Sequence, residues 1–234
     1  MLQIASMGVV RGHGAQAFSV ELPELALARG EVAAITGPSG CGKSTLLEMI
    51  GLILAPAALE RFDLGAPESI DVASLLKADA QALLADLRAR RIGFVLQTGG
   101  LLPYLTVRRN VLLPRRLAGL SATEARLEEA IERLGLDRML DKLPHQLSIG
   151  ERQRVAFLRA IAHRPDLILA DEPTAALDPI QARRLFDLII ELAGQWQVAA
   201  LVVTHDWGLV ADCGIRRLVA DMDRRPDGAV FHDA

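Results

Sequence analysis

Two groups of residues in this chain have the types and spacing needed for phosphate chemistry. The first is Gly37-Pro38-Ser39-Gly40-Cys41-Gly42-Lys43-Ser44, in which a glycine, four residues and a second glycine lead into lysine and serine. Glycines let the backbone curl so that several N–H groups converge on phosphate oxygens. A helix starting near Ser44, with Thr45 next along it, adds its positive N-terminal end. In that setting Lys43 would neutralise the β- and γ-phosphates and the Ser44 hydroxyl would coordinate Mg²⁺. Cys41 reads as an inert small residue rather than a redox group. The second group closes an apolar run, Leu167-Ile168-Leu169-Ala170, with two acids, Asp171 and Glu172. Successive strand residues point to opposite faces. Asp171 can therefore hold Mg²⁺ through water while Glu172 polarises an attacking water molecule. In isolation such a pair is a turn or a helix cap. Behind a phosphate loop it makes ATP hydrolysis the leading reading.

The elements that must position these residues are visible around them. Val32 to Thr36 is an apolar run bounded by glycines, as in a buried strand, and it feeds the glycine loop and then a helix from Ser44 to Ile50. Short apolar runs before it read as strands. Further on the pattern becomes helical. Ser121 and Glu124 have capping-box spacing, and Leu127, Ile131 and Leu134 follow at helical intervals. Another helix is predicted from Ser148, carrying Val155, Leu158 and Ala162 on one face. Asp178-Pro179 starts a helix with proline in its first turn, and Val198 to Thr204 is a last strand-like run ending at His205. The expected fold is α/β, with a largely parallel sheet covered on both faces and an N-terminal antiparallel part. Residues 1–97 and 161–234 would form the core of one domain spanning 1–234, with 98–160 as an inserted α-helical subdomain. Ligands bind such sheets beyond the carboxyl ends of the strands, where these polar residues fall.

Bulk properties narrow the function. The 234 residues are 51% hydrophobic and 24% charged, enough for a sizeable core. A net charge of −3 gives no general attraction for nucleic acid, so the anion site must be built locally. Two cysteines, Cys41 and Cys213, make no disulfide framework and suit a reducing compartment. The N-terminal stretch lacks the basic end and apolar run of a signal peptide. No segment approaches the roughly 20 apolar residues that cross a bilayer. A membrane role is therefore expected to come through a partner.

Leu147-Ser148-Ile149-Gly150-Glu151-Arg152-Gln153-Arg154 resembles the signature motif of ABC ATPases. Gln97 resembles that family's glutamine loop, Ala176-Leu177-Asp178 the loop after the carboxylate pair, and His205 the histidine switch. All the motifs occur in the family's order and together span nearly the whole chain. The resemblance implies a phosphate-loop NTPase core of RecA-like type, with ATP and Mg²⁺ as cofactors. It also implies that Gln97 contacts Mg²⁺ or the lytic water, that His205 touches the γ-phosphate, and that Glu172 is the base. Ser148, Ile149, Gly150 and Glu151 would face ATP held by a second copy of the chain, with Asp178 at the seam of a homodimer. There are departures. Ile149 stands where the family has glycine, which means either ordinary helix-start geometry or looser closure. Ser148 and Glu151 also have capping-box spacing, so Glu151 either caps or meets nucleotide. Ala175 replaces a usual serine. Phe18 is the candidate adenine-stacking residue and His13 a weaker one, since the single tyrosine, Tyr104, lies elsewhere.

Leu101-Leu102-Pro103, Leu105-Thr106-Val107 and Asn110-Val111 resemble the lipoprotein-release and macrolide-export branch. That resemblance implies integral-membrane permease subunits as partners and a peripheral position on the cytoplasmic face of the inner membrane. The alternatives are the ATPase of an importer or a non-transport ABC ATPase of DNA repair or the ribosome. The absence of long heptad regions and the net charge weigh against the last.

Overall fold

Among the described residues, ten strands form one sheet in the order β5-β4-β1-β2-β10-β9-β3-β8-β7-β6. The computed structural model describes residues 1–225 and 227–234, with Ala15 described through its backbone. The strands are β1 (Leu2–Arg11), β2 (Phe18–Leu27), β3 (Val32–Thr36), β4 (Arg61–Leu64), β5 (Ile70–Asp71), β6 (Ile92–Val95), β7 (Leu167–Asp171), β8 (Ala199–Val203), β9 (Arg216–Asp221) and β10 (Gly228–Asp233). The run β9-β3-β8-β7-β6 is parallel throughout. The wing is mixed: β1 is antiparallel to β2 and β4, while β10 is antiparallel to β9 and parallel to β2. A parallel core with an N-terminal antiparallel part is the architecture that the alternating runs predicted.

β8 is apolar and buried at every position, and β3 and β7 are apolar up to their last residues, Thr36 and Asp171, because both faces are covered. In β7, Ile168 and Ala170 join one buried cluster with Phe157, Phe186 and Ile189. Leu167 and Leu169 join the other with Leu46, Ile50, Phe62 and Phe231. The period of two thus serves two cores at once.

Among the described residues, eight α-helices accompany the sheet: α1 (Lys43–Ile50), α2 (Val72–Lys77), α3 (Gln81–Arg91), α4 (Val107–Leu117), α5 (Ala125–Arg133), α6 (Ile149–Ile161), α7 (Pro179–Trp196) and α8 (Trp207–Cys213). Between β6 and β7 the described chain contains helices and turns and no strand. Leu127, Ile131 and Leu134 are buried there as the helical spacing predicted, in the same cluster as Phe157.

The capping box expected at Ser121 and Glu124 does not form. Helix α5 begins at Ala125, and Glu124 makes no side-chain cap. Its carboxylate instead takes the guanidinium of Arg115, which is 2% exposed, at 2.7 Å, and that of Arg164. A buried guanidinium left unpaired costs far more than a lost cap, so the charge-assisted bonds win. The Ser121 hydroxyl accepts the Thr123 N–H at 3.3 Å.

Candidate active site

The phosphate loop connects the end of β3 to α1, as the sequence order required. Two of its glycines are required by space. A β-carbon on Gly42, at φ 94°, would lie 2.4 Å from Val20 Cγ2. One on Gly37 would lie 2.7 Å from Ala220 Cβ and 2.8 Å from Cys41 Sγ. The sheet therefore presses against the loop from both sides. Pro38, Ser39 and Gly40 face solvent at its tip, while Cys41 is fully buried, in keeping with an inert role. Lys43 is buried, and its ammonium donates to the carbonyls of Gly37 (3.0 Å) and Pro38 (2.8 Å). Ser44 is exposed at the first turn of α1 and Thr45 half-buried beside it.

The two acids part company at the end of β7. Asp171, its last residue, accepts the Ser44 hydroxyl at 3.0 Å. Glu172 leaves the strand at φ 48°, a left-handed conformation that costs a side-chain-bearing residue roughly 1 kcal/mol or more. Its N–H is held by the Val203 carbonyl at 3.0 Å, and both carboxylate oxygens are engaged. His205 Nε2 lies 2.5 Å from Oε1, and the Gln97 amide donates to Oε2 at 3.1 Å. Three residues from the ends of three different strands, Gln97 after β6, Glu172 after β7 and His205 after β8, thus meet at one carboxylate.

The signature segment is the first turn of α6. The Ser148 hydroxyl accepts the Glu151 N–H at 3.2 Å, and the Glu151 carboxylate accepts the Ser148 N–H at 2.7 Å. That bond from the Ser148 backbone, reinforced by its hydroxyl, holds the Glu151 carboxyl below the usual glutamate range. Glu151 is therefore engaged as a cap. Ile149 has ordinary helix-start geometry, with its side chain 47% exposed. Gly150 sits beside Leu177 and Gln181, so the starts of α6 and α7 are neighbours. Asp178 caps α7 by accepting the N–H groups of Ile180 and Gln181, both at 3.0 Å. Ala175 lines a cavity of about 330 Å³ together with Glu172, Thr204 and His205.

Phe18 begins β2, half-buried, with its Cε1 3.6 Å from where a Gly42 β-carbon would stand. It therefore borders the phosphate loop. His13 is exposed on the turn between β1 and β2, and Tyr104, 73% exposed, lies between β6 and α4. Sequence reasoning passed over Gln153 and Arg159. Both project from α6 onto the loop carrying Gln97, with the Gln153 amide 2.7 Å from the Gln97 carbonyl. No local pattern marks them, because Gln153 follows Glu151 and Arg152 in a polar first turn and its partner lies 56 residues away.

The profile of the ABC transporter family matches residues 21–175. The chain belongs to that family. The matched span takes in the phosphate loop, Gln97, the signature and the acid pair, whereas Asp178 and His205 lie beyond it. Among similar proteins, this ABC chain is 41% identical over 201 residues to the lipoprotein-releasing system ATP-binding protein LolD 1 of Caulobacter vibrioides, covering 85% of this chain and 82% of that one. It is 40% identical over 208 residues to LolD of Legionella pneumophila, covering 86% and 82%. A solved dimeric ATP-binding cassette, MJ0796, in a post-hydrolysis state bound to ADP and Pi, superposes with TM-score 0.76 at 31% identity, covering 94% of each chain. A second dimeric structure of that cassette gives 0.77 at 32%. This ABC chain is thus an ATP-binding, ATP-hydrolysing subunit with the cassette fold. No helix among the described residues is long and apolar enough to cross a membrane.

The residues present fit Mg²⁺ as well as nucleotide. Ser44 and Asp171 bring a hydroxyl and a carboxylate to one point, while the Gln97 amide is engaged at Glu172. Hard oxygen donors suit Mg²⁺, which keeps several waters and takes phosphate oxygens as further ligands. Such a half-built donor set is what an ion arriving with ATP needs.

Proposed function

We propose that Glu172 is the general base of ATP hydrolysis, oriented by Gln97 and His205. What carries this reading is the Glu172 carboxylate gripped from both sides at 2.5 and 3.1 Å. Glu172 takes a proton from water as the water oxygen attacks the γ-phosphorus, and the bond to the β–γ bridging oxygen breaks. Lys43 exchanges its loop carbonyls for phosphate oxygens, and the N–H groups of residues 39, 40 and 42–45 hold the remaining charge. His205 touches the γ-phosphate, and Phe18 stacks on the adenine. Ser44, Asp171 and Gln97 would hold Mg²⁺, which would supply charge neutralisation for the phosphates.

The working unit is a homodimer in which Ser148, Ile149 and Gly150 of one copy, with Glu151 capping the helix they begin, close over ATP bound by the other, with Asp178 at the seam. The dimeric cassettes of the same fold support it. Residues 98–160 act as the subdomain that carries this signature. The dimer drives integral-membrane permease subunits from the cytoplasmic face of the inner membrane, in lipoprotein release or related envelope export. The named relatives of 40% and 41% identity support that branch.

A pull-down of tagged Glu172→Gln protein with ATP from native membranes tests the assignment. Recovery of a four-helix permease with a large periplasmic domain is the expected result. A many-spanning importer subunit would overturn the export branch. Ribosomal or DNA-repair partners without membrane protein would overturn transport itself.

A further inference from the structure

The loop that follows β6 runs along α6 and is fastened to it at two points. At the first, the Gln153 amide donates to the Gln97 carbonyl at 2.7 Å. At the second, the Arg159 guanidinium donates to the carbonyls of Gly100 (2.6 Å) and Gly99 (3.1 Å). Between them lies Ala156, whose methyl is 3.6 Å from where a Gly99 β-carbon would stand. The three residues follow one another at i, i+3 and i+6, one stripe of the helix. Gly99 and Gly100 both have left-handed backbones, with φ of 76° and 57°, and a β-carbon on Gly100 would lie 2.8 Å from Leu96 Cδ1.

Packing alone does not account for this arrangement. Gln153 is 3% exposed among Val155, Ala156 and Phe157, and its side-chain oxygen has no partner. A half-satisfied buried amide is a worse core residue than leucine or methionine. Its one bond goes to the backbone of the residue whose own amide reaches Glu172. The same helix begins, one turn earlier, with the Ser148–Glu151 cap.

Building on the roles proposed for Gln97 and Glu172, we infer that Gln153 and Arg159 are positioning residues for hydrolysis. They fix the backbone of residues 97–100 to α6, so that the Gln97 side chain is held at Glu172 and follows the signature helix when that helix moves. A subunit whose signature turn has docked on its partner's nucleotide thereby sets Gln97 at its own. Neither residue touches the reacting atoms. Both act through Gln97.

The test is a double-mutant cycle on the full-length protein, pairing Gln153→Met, which keeps volume and removes the donor, with Gln97→Ala. Steady-state kcat and KM for ATP are measured for each variant, and thermal midpoints are recorded alongside. Gln153→Met is expected to lower kcat about tenfold with KM unchanged, the loss that goes with one misplaced catalytic contact. The double variant should be no slower than Gln97→Ala alone. Arg159→Lys, which keeps the charge but loses the two-carbonyl fork, should behave in the same way. If the two losses multiply in the double variant, Gln153 acts independently of Gln97 and the inference is overturned. If Gln97→Ala leaves kcat unchanged, the role proposed for Gln97 fails first, and the positioning role falls with it.

Discussion

His205 and Glu172 meet at 2.5 Å, although they leave adjacent parallel strands 33 positions apart in the chain. Glu172 turns left-handed as β7 ends, and its carboxylate meets His205 and Gln97 while that of Asp171 meets Ser44. The two acids therefore serve separate partners.

Replacing Glu172 by Gln keeps the size of the side chain and removes the proton acceptor. Turnover should fall at least a hundredfold, roughly what a lost general base costs. ATP binding should persist, and gel filtration with ATP should show a dimer. Unchanged turnover in the variant would remove Glu172 from the role of base.

Gly42→Ala places a methyl 2.4 Å from Val20 at a φ of 94°. Because the neighbour is a packed core side chain, the loop must move. Nucleotide affinity, read by titration with a fluorescent ATP analogue, should drop at least tenfold, about 1.4 kcal/mol. Gly40→Ala is the matched control, since its β-carbon would meet nothing within 4 Å, although its φ of 80° also strains the backbone. Equal losses in the two variants would show that backbone strain and not the Val20 contact decides the matter.

His163 gives a pH dependence whose sign can be worked out. It is 4% exposed, and burial, with Arg115 nearby, pushes its pKa down to about 4. Its Nε2 hydrogen-bonds the Ile92 carbonyl at 3.2 Å, and its Nδ1 has no partner. The unfolded chain binds this proton near pH 6.5 and the folded chain only near 4. Stability is therefore unaffected by this group above pH 6.5 and is lost as pH falls from 6.5 towards 4, by on the order of 3 kcal/mol. Urea unfolding of His163→Gln over that range should show a shallower loss than the parent chain. Parallel curves would exclude His163 as the cause.

Ile149→Gly tests the departure from the signature pattern. The isoleucine is in helical geometry with its side chain half in solvent, so glycine should lower stability by no more than about 1 kcal/mol. ATP turnover should be preserved or raised. Abolished turnover in a folded variant would mean that the isoleucine is itself an adaptation of the closed site.

The phosphate loop, the acid pair, the start of α6 and the start of α7 were all legible because each is written in a few consecutive residues. The Asp178-Pro179 cap and the Ser148–Glu151 box needed no distant partner. The segment from 61 to 91 was not legible. Strands β4 and β5 are four and two residues long, and α3 buries only Leu84 and Leu87, so neither period has room to appear. Glu124 was misread because Arg115 and Arg164, from two other parts of the chain, outcompete a local cap. The pairing of Gln153 with Gln97 spans 56 residues and has no local trace.

The Lys43 ammonium rests on the carbonyls of Gly37 and Pro38, 3.0 and 2.8 Å away. On the role proposed for Lys43, nucleotide arrival is an exchange of partners in which phosphate oxygens displace these carbonyls, and the buried cation keeps a companion throughout. Because the loop offers a place of return for that cation, the attraction that captures ATP is partly cancelled. Product release is correspondingly eased. A motor that must let go in every cycle is helped by holding its fuel less tightly than its charge alone would allow.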